Sequence, residues 1–245
     1  MTHLVRTPPA PPALLLALDV PDAASALALV DRFAGRCRFY KVGLELFTAE
    51  GPAIVRAIHA RGADVFLDLK LHDIPNTVRS AARRAAALGV RLLTVHASGG
   101  AAMLRAAVDG AGEGCGILGV TVLTSLTAGE VAEAWGRGDA LDAGGEVVRL
   151  AGLCAGAGAH GIVCSGAELP AVAAAHGGRL SPLVPGLRPA GASADDQARV
   201  VTPEAAAAAG ARYLVLGRAV TAAPDPAAAW DAIAAAVAAA VAPRA

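Results

Sequence analysis

The chain has 245 residues, 55% of them apolar and 3% aromatic, and its formal net charge at pH 7 is zero. That length suits one (β/α)8 barrel, typically about 250 residues. A neutral chain argues against nucleic acid or anionic membrane as a main partner, because both attract a basic face, and the scarcity of aromatics argues against a base-stacking platform.

The sequence opens with Pro8-Pro9-Ala10-Pro11-Pro12, which marks residues 1–13 as a proline-rich extension. Proline ahead of a short apolar run that ends at Asp19 is not the pattern of a signal peptide. Short β-rich apolar runs then recur at residues 14–20, 39–46, 65–71, 92–97, 116–123, 161–164, 180–184 and 213–216. Between most of them lie Ala-rich stretches of helical spacing, at 23–33, 53–60, 78–88, 101–111 and 145–157. Residues 227–241 are apolar enough to test as a membrane span, but Asp231 and the alanine content predict an amphipathic C-terminal helix.

Eight strands separated by helices predict parallel strands joined by right-handed crossovers. Near-continuous apolar strands fit a sheet covered on its outer face. A closed barrel and an open doubly wound sheet both suit this pattern, and two details favour the barrel. No Gly-x-Gly-x-x-Gly follows the first strand, where Asp19-Val20-Pro21-Asp22 stands instead. Polar residues also end nearly every strand: Asp19, Lys41, Asp68 with Lys70, His96, Thr124 with Ser125, Ser165, Arg188, and Gly217 with Arg218. In a barrel those ends converge on one mouth, where active sites are built. The expectation is therefore an α/β chain folded as a single (β/α)8 TIM barrel over residues 14–245.

Cys37, Cys115, Cys154 and Cys164 form no Cys-x-x-Cys pair and no metal-type spacing with histidine, so they read as buried free thiols of a cytoplasmic protein. His, Asp and Glu show no metal-ligand spacing, and no metal or cofactor is expected. Ser125, Ser165 and the histidines lack a nucleophile-elbow context. His96 reads equally as a hydrogen-bonded spacer or a catalyst, His72 as a residue orienting its own loop, and His3, His59, His160 and His176 as surface or helix positions.

The 21 basic residues comprise nineteen arginines and only two lysines, Lys41 and Lys70. Arginine cannot give up its proton, whereas a lysine ammonium is a compact donor of tunable pKa. Side chains alternate along a strand, so Asp68 and Lys70 point one way and Leu67, Leu69 and Leu71 the other. With the leucines packed on helices, acid and amine face the barrel interior, within roughly 7 Å of each other. The same parity sends Asp19 and Lys41 inward. The cluster suits either chemistry or a structural ion-pair network.

The last two strands carry the anion-binding pattern. Pro185-Gly186-Leu187-Arg188-Pro189 leads to a loop ending Asp195-Asp196-Gln197-Ala198-Arg199, and Leu216-Gly217-Arg218-Ala219 closes strand eight. Loops after strands seven and eight are the usual phosphate site of these barrels, with glycine letting backbone N–H groups approach and arginine clamping the anion. The plainer alternative is a cap glycine beside a surface arginine.

The segment Asp68-x-Lys70-x-His72-Asp73-Ile74-Pro75-Asn76-Thr77 resembles the signature of the orotidine 5′-phosphate decarboxylase family, which acts in pyrimidine nucleotide synthesis. The likeness continues through Leu18-Asp19, Lys41-Val42-Gly43, Val122-Leu123-Thr124-Ser125, Pro185-Gly186-Leu187-Arg188, Asp196-Gln197 and Gly217-Arg218, in the family's order. It implies that Lys70 protonates C6 of the pyrimidine as carbon dioxide leaves and that Asp68 lies against the substrate carboxylate. It further implies that Lys41 and Asp19 hold ribose hydroxyls, Lys41 also bracing Asp68. Asp73 and Thr77 then reach into a neighbouring subunit's site, making the active unit a homodimer. Thr124 and Ser125 meet the pyrimidine, Gln197 spans pyrimidine and phosphate, and Arg188, Gly217 and Arg218 hold the phosphate. The departures are the proline-rich start and Val184 where the family pattern has threonine. Two rivals remain: a magnesium-dependent sugar-phosphate decarboxylase or synthase, which shares Asp-x-Lys-x-x-Asp but places an acidic metal ligand where this chain has Lys41, and a catalytically silent nucleotide-binding barrel.

Overall fold

Two prolines, Pro11 and Pro12, precede the first strand, β1 (Ala13–Ala17). The computed structural model describes residues 11–138, 141–188 and 201–242, so residues 1–10 of the expected extension lie outside the described part. After β1 come α1 (Ala23–Arg32), β2 (Phe39–Val42), α2 (Leu44–Glu50), α3 (Pro52–His59), β3 (Asp64–Leu71), α4 (Pro75–Ala87) and β4 (Leu92–His96). The second half runs α5 (Gly100–Ala111), β5 (Gly116–Val120), α6 (Ala128–Trp135), α7 (Ala143–Gly156), β6 (Gly161–Val163), α8 (Leu169–His176) and β7 (Ser181–Val184). It ends with α9 (Pro203–Ala208), β8 (Tyr213–Leu216), α10 (Arg218–Thr221) and α11 (Pro226–Val241). Each strand pairs in parallel with its neighbours in sequence, and β1 pairs with β8, closing an eight-stranded (β/α)8 barrel.

Strand parity divides the core into two layers. Leu15, Ala17, Phe39, Phe66, Leu92, Leu118, Val120, Val163, Leu183 and Val215 fill the barrel interior. The alternate residues, among them Leu16, Tyr40, Val42, Val65, Leu67 and Leu93, pack outward with the helices in the larger cluster. Close approach of helix to barrel depends on small residues. A Cβ at Gly119 of β5 would collide with Cys154 Sγ of α7, so glycine is what lets these elements meet.

Local signals set the helix ends. Asp22 accepts from Ser25 N–H at the start of α1, and Thr127 forms a reciprocal capping box with Glu130 at α6, satisfying N–H groups that lack partners inside the helix. Helix α11 lays Trp230, Ile233 and Val237 on one buried stripe, with Trp230 edge-on to Phe33 at 5.7 Å. No helix among the described residues is long and apolar enough to cross a membrane.

Three strands stop three or more residues before their apolar runs do, ending at Ala17, Val42 and Val120. The run at 39–46 divides between β2 and α2: Gly43 is the N-cap, and Leu46 is then buried from a helix rather than a strand. An apolar run of that length fits either element, so periodicity alone does not separate them.

Candidate active site

Strand β3 delivers the two central groups. Phe66 lies in the interior layer, and Asp68 and Lys70 continue its parity to the mouth, while Leu67 packs outward and Leu69 and Leu71 lie against the outer cluster. Lys70 Nζ donates to Asp68 Oδ2 at 2.6 Å, with the two side chains 30% and 14% exposed. The backbone of Lys70 is left-handed, with φ +48°, which no other described non-glycine residue shares, and the β3–β4 register shifts between Leu67 and Leu71. Such a conformation costs on the order of 1–3 kcal/mol in a non-glycine residue and persists only where its surroundings enforce it. Thr94 on β4, fully buried, supplies part of that enforcement: its hydroxyl accepts from Lys70 N–H and donates to Asp68 Oδ1, each at 2.9 Å.

On β2, Lys41 Nζ donates to Asp19 Oδ1 at 2.6 Å, so its ion pair is with Asp19 rather than Asp68. Lys41, Asp68 and Lys70 line a cavity of about 200 Å³ with Thr124 and Pro185, over an apolar floor that includes Phe66, Val120, Val163 and Val215. A charged rim above a dry floor strengthens the interactions made inside it. Ser125, next to Thr124, is exposed.

The expected phosphate residues flank this mouth. Arg188 is buried after β7, its Nη1 donating to Leu187 O at 3.0 Å and its backbone N–H to Val201 O at 3.3 Å. Gly217 is the N-cap of α10, and Arg218 is the exposed first residue of that helix. Gln197 lies outside the described residues.

Asp73 and Thr77 are exposed around the start of α4 and do not line the cavity that holds Lys70. Asp73 Oδ1 accepts from Ile74 N–H at 2.6 Å, and the Ile74 side chain is 66% exposed.

The histidines divide by position. His96 ends β4 with its ring 5.4 Å from that of His72. Burial first, then His72 and Lys70, hold the His96 pKa below the ordinary value, so it is neutral at pH 7. His160 shares a 2.8 Å hydrogen bond with the Tyr213 hydroxyl at the opposite end of the barrel. Ser165 caps a short 3-10 turn, its hydroxyl accepting from Ala167 N–H while its backbone N–H donates to Glu168 Oε2. All four cysteines are buried and none forms a disulfide among the described residues; burial raises the Cys115 thiol to about 11 and the Cys154 thiol to about 12, which keeps both in the unreactive thiol form. Among the described residues no three His, Cys, Asp or Glu side chains gather where they could hold a metal ion.

Sequence reasoning passed over Thr94. A usable signal existed, because Thr94 has the inward parity of Leu92 and His96 and is a polar residue inside an otherwise apolar strand.

Residues 12–233 match the model of the orotidine 5′-phosphate decarboxylase / HUMPS family. The chain is similar to the orotidine 5′-phosphate decarboxylase of Anaeromyxobacter sp. (strain K), at 58% identity over 219 residues, covering 89% of this chain and 95% of the relative. It is 51% identical over 235 residues to that of Halorhodospira halophila, covering 95% and 98%. The crystal structure of the Lactobacillus acidophilus orotidine 5′-phosphate decarboxylase superposes with a TM-score of 0.77 at 32% identity, over 93% of this chain and 99% of that one.

Proposed function

The chain belongs to the orotidine 5′-phosphate decarboxylase / HUMPS family, and on that premise we propose that it converts orotidine 5′-phosphate to uridine 5′-phosphate and carbon dioxide, with Lys70 as the proton donor to C6. The observation that carries this reading is the placement of both lysines of the chain against one small cavity, with Lys70 held 2.6 Å from Asp68.

The chemistry requires such a group. When the bond from C6 to the carboxylate breaks, its electron pair stays on C6, in the plane of the ring and outside its π system. The chain offers no evident cofactor to delocalise that charge. A fixed ammonium beside C6 stabilises the developing carbanion and then transfers a proton to it, and the neutral amine regains a proton from water. Asp68 beside the substrate carboxylate contributes a repulsion of about 4 kcal/mol, for charges ~4 Å apart at an effective dielectric of about 20. Lys70 and Thr94 partly offset that repulsion, and it vanishes as carbon dioxide leaves.

Asp19 and Lys41 hold ribose hydroxyls in this reading, Thr124 and Ser125 meet the pyrimidine, and Gln197 spans pyrimidine and phosphate. Arg188, Gly217 and Arg218 take the phosphate. Phosphate binding lies far from C6, so its energy serves to position the reacting carbon and raise the rate. The active unit is a homodimer in which Asp73 and Thr77 complete the neighbouring site; their exposure, their place outside the lining of their own subunit's cavity and the exposed Ile74 between them support this. The enzyme needs no metal or other cofactor in this reading, and it works in the cytoplasm, which suits four buried thiols that form no disulfide among the described residues.

Two relatives of the scaffold compete with this reading. A magnesium-dependent sugar-phosphate enzyme needs an acidic ligand on β2, where Lys41 would repel the ion, and a silent barrel has no need of a strained Lys70. An assay following loss of orotate absorbance separates them. The expected result is turnover that is indifferent to EDTA. Activity abolished by EDTA and restored by magnesium would transfer the chain to the first rival, and nucleotide binding without turnover would assign it to the second.

A further inference from the structure

We propose that Thr94 is a positioning residue that locks the catalytic lysine and its aspartate into one closed unit; this rests on the role of Lys70 argued above. Four groups form a ring. The Lys70 backbone N–H donates to Thr94 Oγ1 at 2.9 Å, and the Thr94 hydroxyl donates to Asp68 Oδ1 at 2.9 Å. Asp68 Oδ2 then accepts from Lys70 Nζ at 2.6 Å. The ring begins and ends on Lys70, so one buried hydroxyl governs both its backbone and, through Asp68, its ammonium.

The hydroxyl is suited to this work because it has one proton and accepting lone pairs. With the proton committed to Asp68, the oxygen faces the Lys70 N–H as acceptor, and the two bonds reinforce each other. Thr94 is fully buried, so water has no easy access to replace either bond. At this point β3 has slipped its register against β4 and Lys70 is left-handed, so that N–H lies outside the regular ladder. Without an acceptor there, a part-buried donor would be left unsatisfied, and the strand would relax toward ordinary geometry. Relaxation by one residue's twist is enough to swing the ammonium from its place, and misplacement of about 1 Å is costly to a reaction that depends on fixed charge.

Thr94→Val keeps the shape of the side chain and removes the hydroxyl; Thr94→Ser keeps the hydroxyl. In the full-length protein, Thr94→Val should lower kcat about ten- to a hundredfold with KM for orotidine 5′-phosphate little changed, and Thr94→Ser should recover most of the loss. Hydrogen exchange at the Lys70 amide supplies a readout that does not depend on activity: protection in the wild type and in Thr94→Ser, and its loss in Thr94→Val. Wild-type kcat in Thr94→Val, equal impairment of Thr94→Ser, or unchanged protection of the Lys70 amide would each overturn the proposal. Should Thr94→Val fail to fold, Thr94→Ala, which cannot clash, is held to the same outcomes. A wild type inactive on orotidine 5′-phosphate would instead sink the assigned activity, and Thr94 would then be judged on amide exchange alone.

Discussion

At the mouth of the barrel Lys70 pairs with Asp68 and Lys41 with Asp19, whereas at the opposite end Arg91 pairs with Asp64 and Arg36 with Asp231. The contacts are alike in length, from 2.6 to 3.1 Å, but not in setting. The lysine side chains are 13% and 30% exposed and face a cavity, while the arginine side chains are 43% and 61% exposed. Cavity size points the other way: the space at the arginine end, beside Phe39, Arg91, Cys115 and His160, is about 470 Å³ against about 200 Å³ at the mouth. What distinguishes the mouth is therefore the kind of cation and its confinement. A guanidinium in water serves solubility and a weak surface bridge, whereas an ammonium confined beside a cavity is a compact charge set where a ligand can meet it.

The largest effect that tests this contrast is expected at Lys70. Lys70→Ala should reduce decarboxylation by at least about a thousandfold while leaving product affinity largely intact, because the ammonium is needed most when C6 carries charge. Lys70→Arg should be almost as inactive, since guanidinium is a poor acid of different shape. Steady-state turnover and product titration together read both, and substantial activity in either variant would remove Lys70 from the donor role.

Next in size is the effect expected of the proposed shared site. Lys70→Ala and Asp73→Ala homodimers should each be severely impaired. Unfolded together and refolded at equal concentration, they should form mixed dimers as about half the population, each with one intact site, so that roughly a quarter of all sites recover. A mixture as inactive as its parents, despite heterodimers confirmed by mass spectrometry, would return Asp73 to its own subunit.

Arg218→Ala should weaken binding of a nucleotide 5′-phosphate about tenfold or more, and binding of the phosphate-free nucleoside far less. Equal losses in calorimetric titrations of the two ligands would make Arg218 structural. The smallest effect is expected at the far end. Arg91→Ala should leave turnover within about twofold and change unfolding stability by no more than about 1 kcal/mol, as for other exposed pairs. A large loss of activity there would break the contrast between the two ends.

Much of this architecture is legible in the chain itself. Eight apolar runs with intervening Ala-rich stretches point to a parallel sheet because each strand must bury both faces, the polar strand ends favour the closed barrel that is found, and two-residue parity alone sends Asp68 and Lys70 inward. Composition isolates the two lysines, since arginine occupies every other cationic position. The strand ends are less legible: Leu46 is apolar and is buried either way, so the sequence at 39–46 does not say that Gly43 starts a helix.

Three things were decided only in three dimensions. The left-handed backbone of Lys70 falls where the β3–β4 register slips, a relation between segments more than twenty residues apart. The partner of Lys41 proves to be Asp19, a choice set by how β1 and β2 align. Thr94 is an ordinary threonine in an apolar strand until the barrel closes and places its hydroxyl between Lys70 N–H and Asp68. Hydrophobic periodicity acts along one segment and can be read there, but a hydrogen bond between strands depends on register and distance, which exist only once the core has packed.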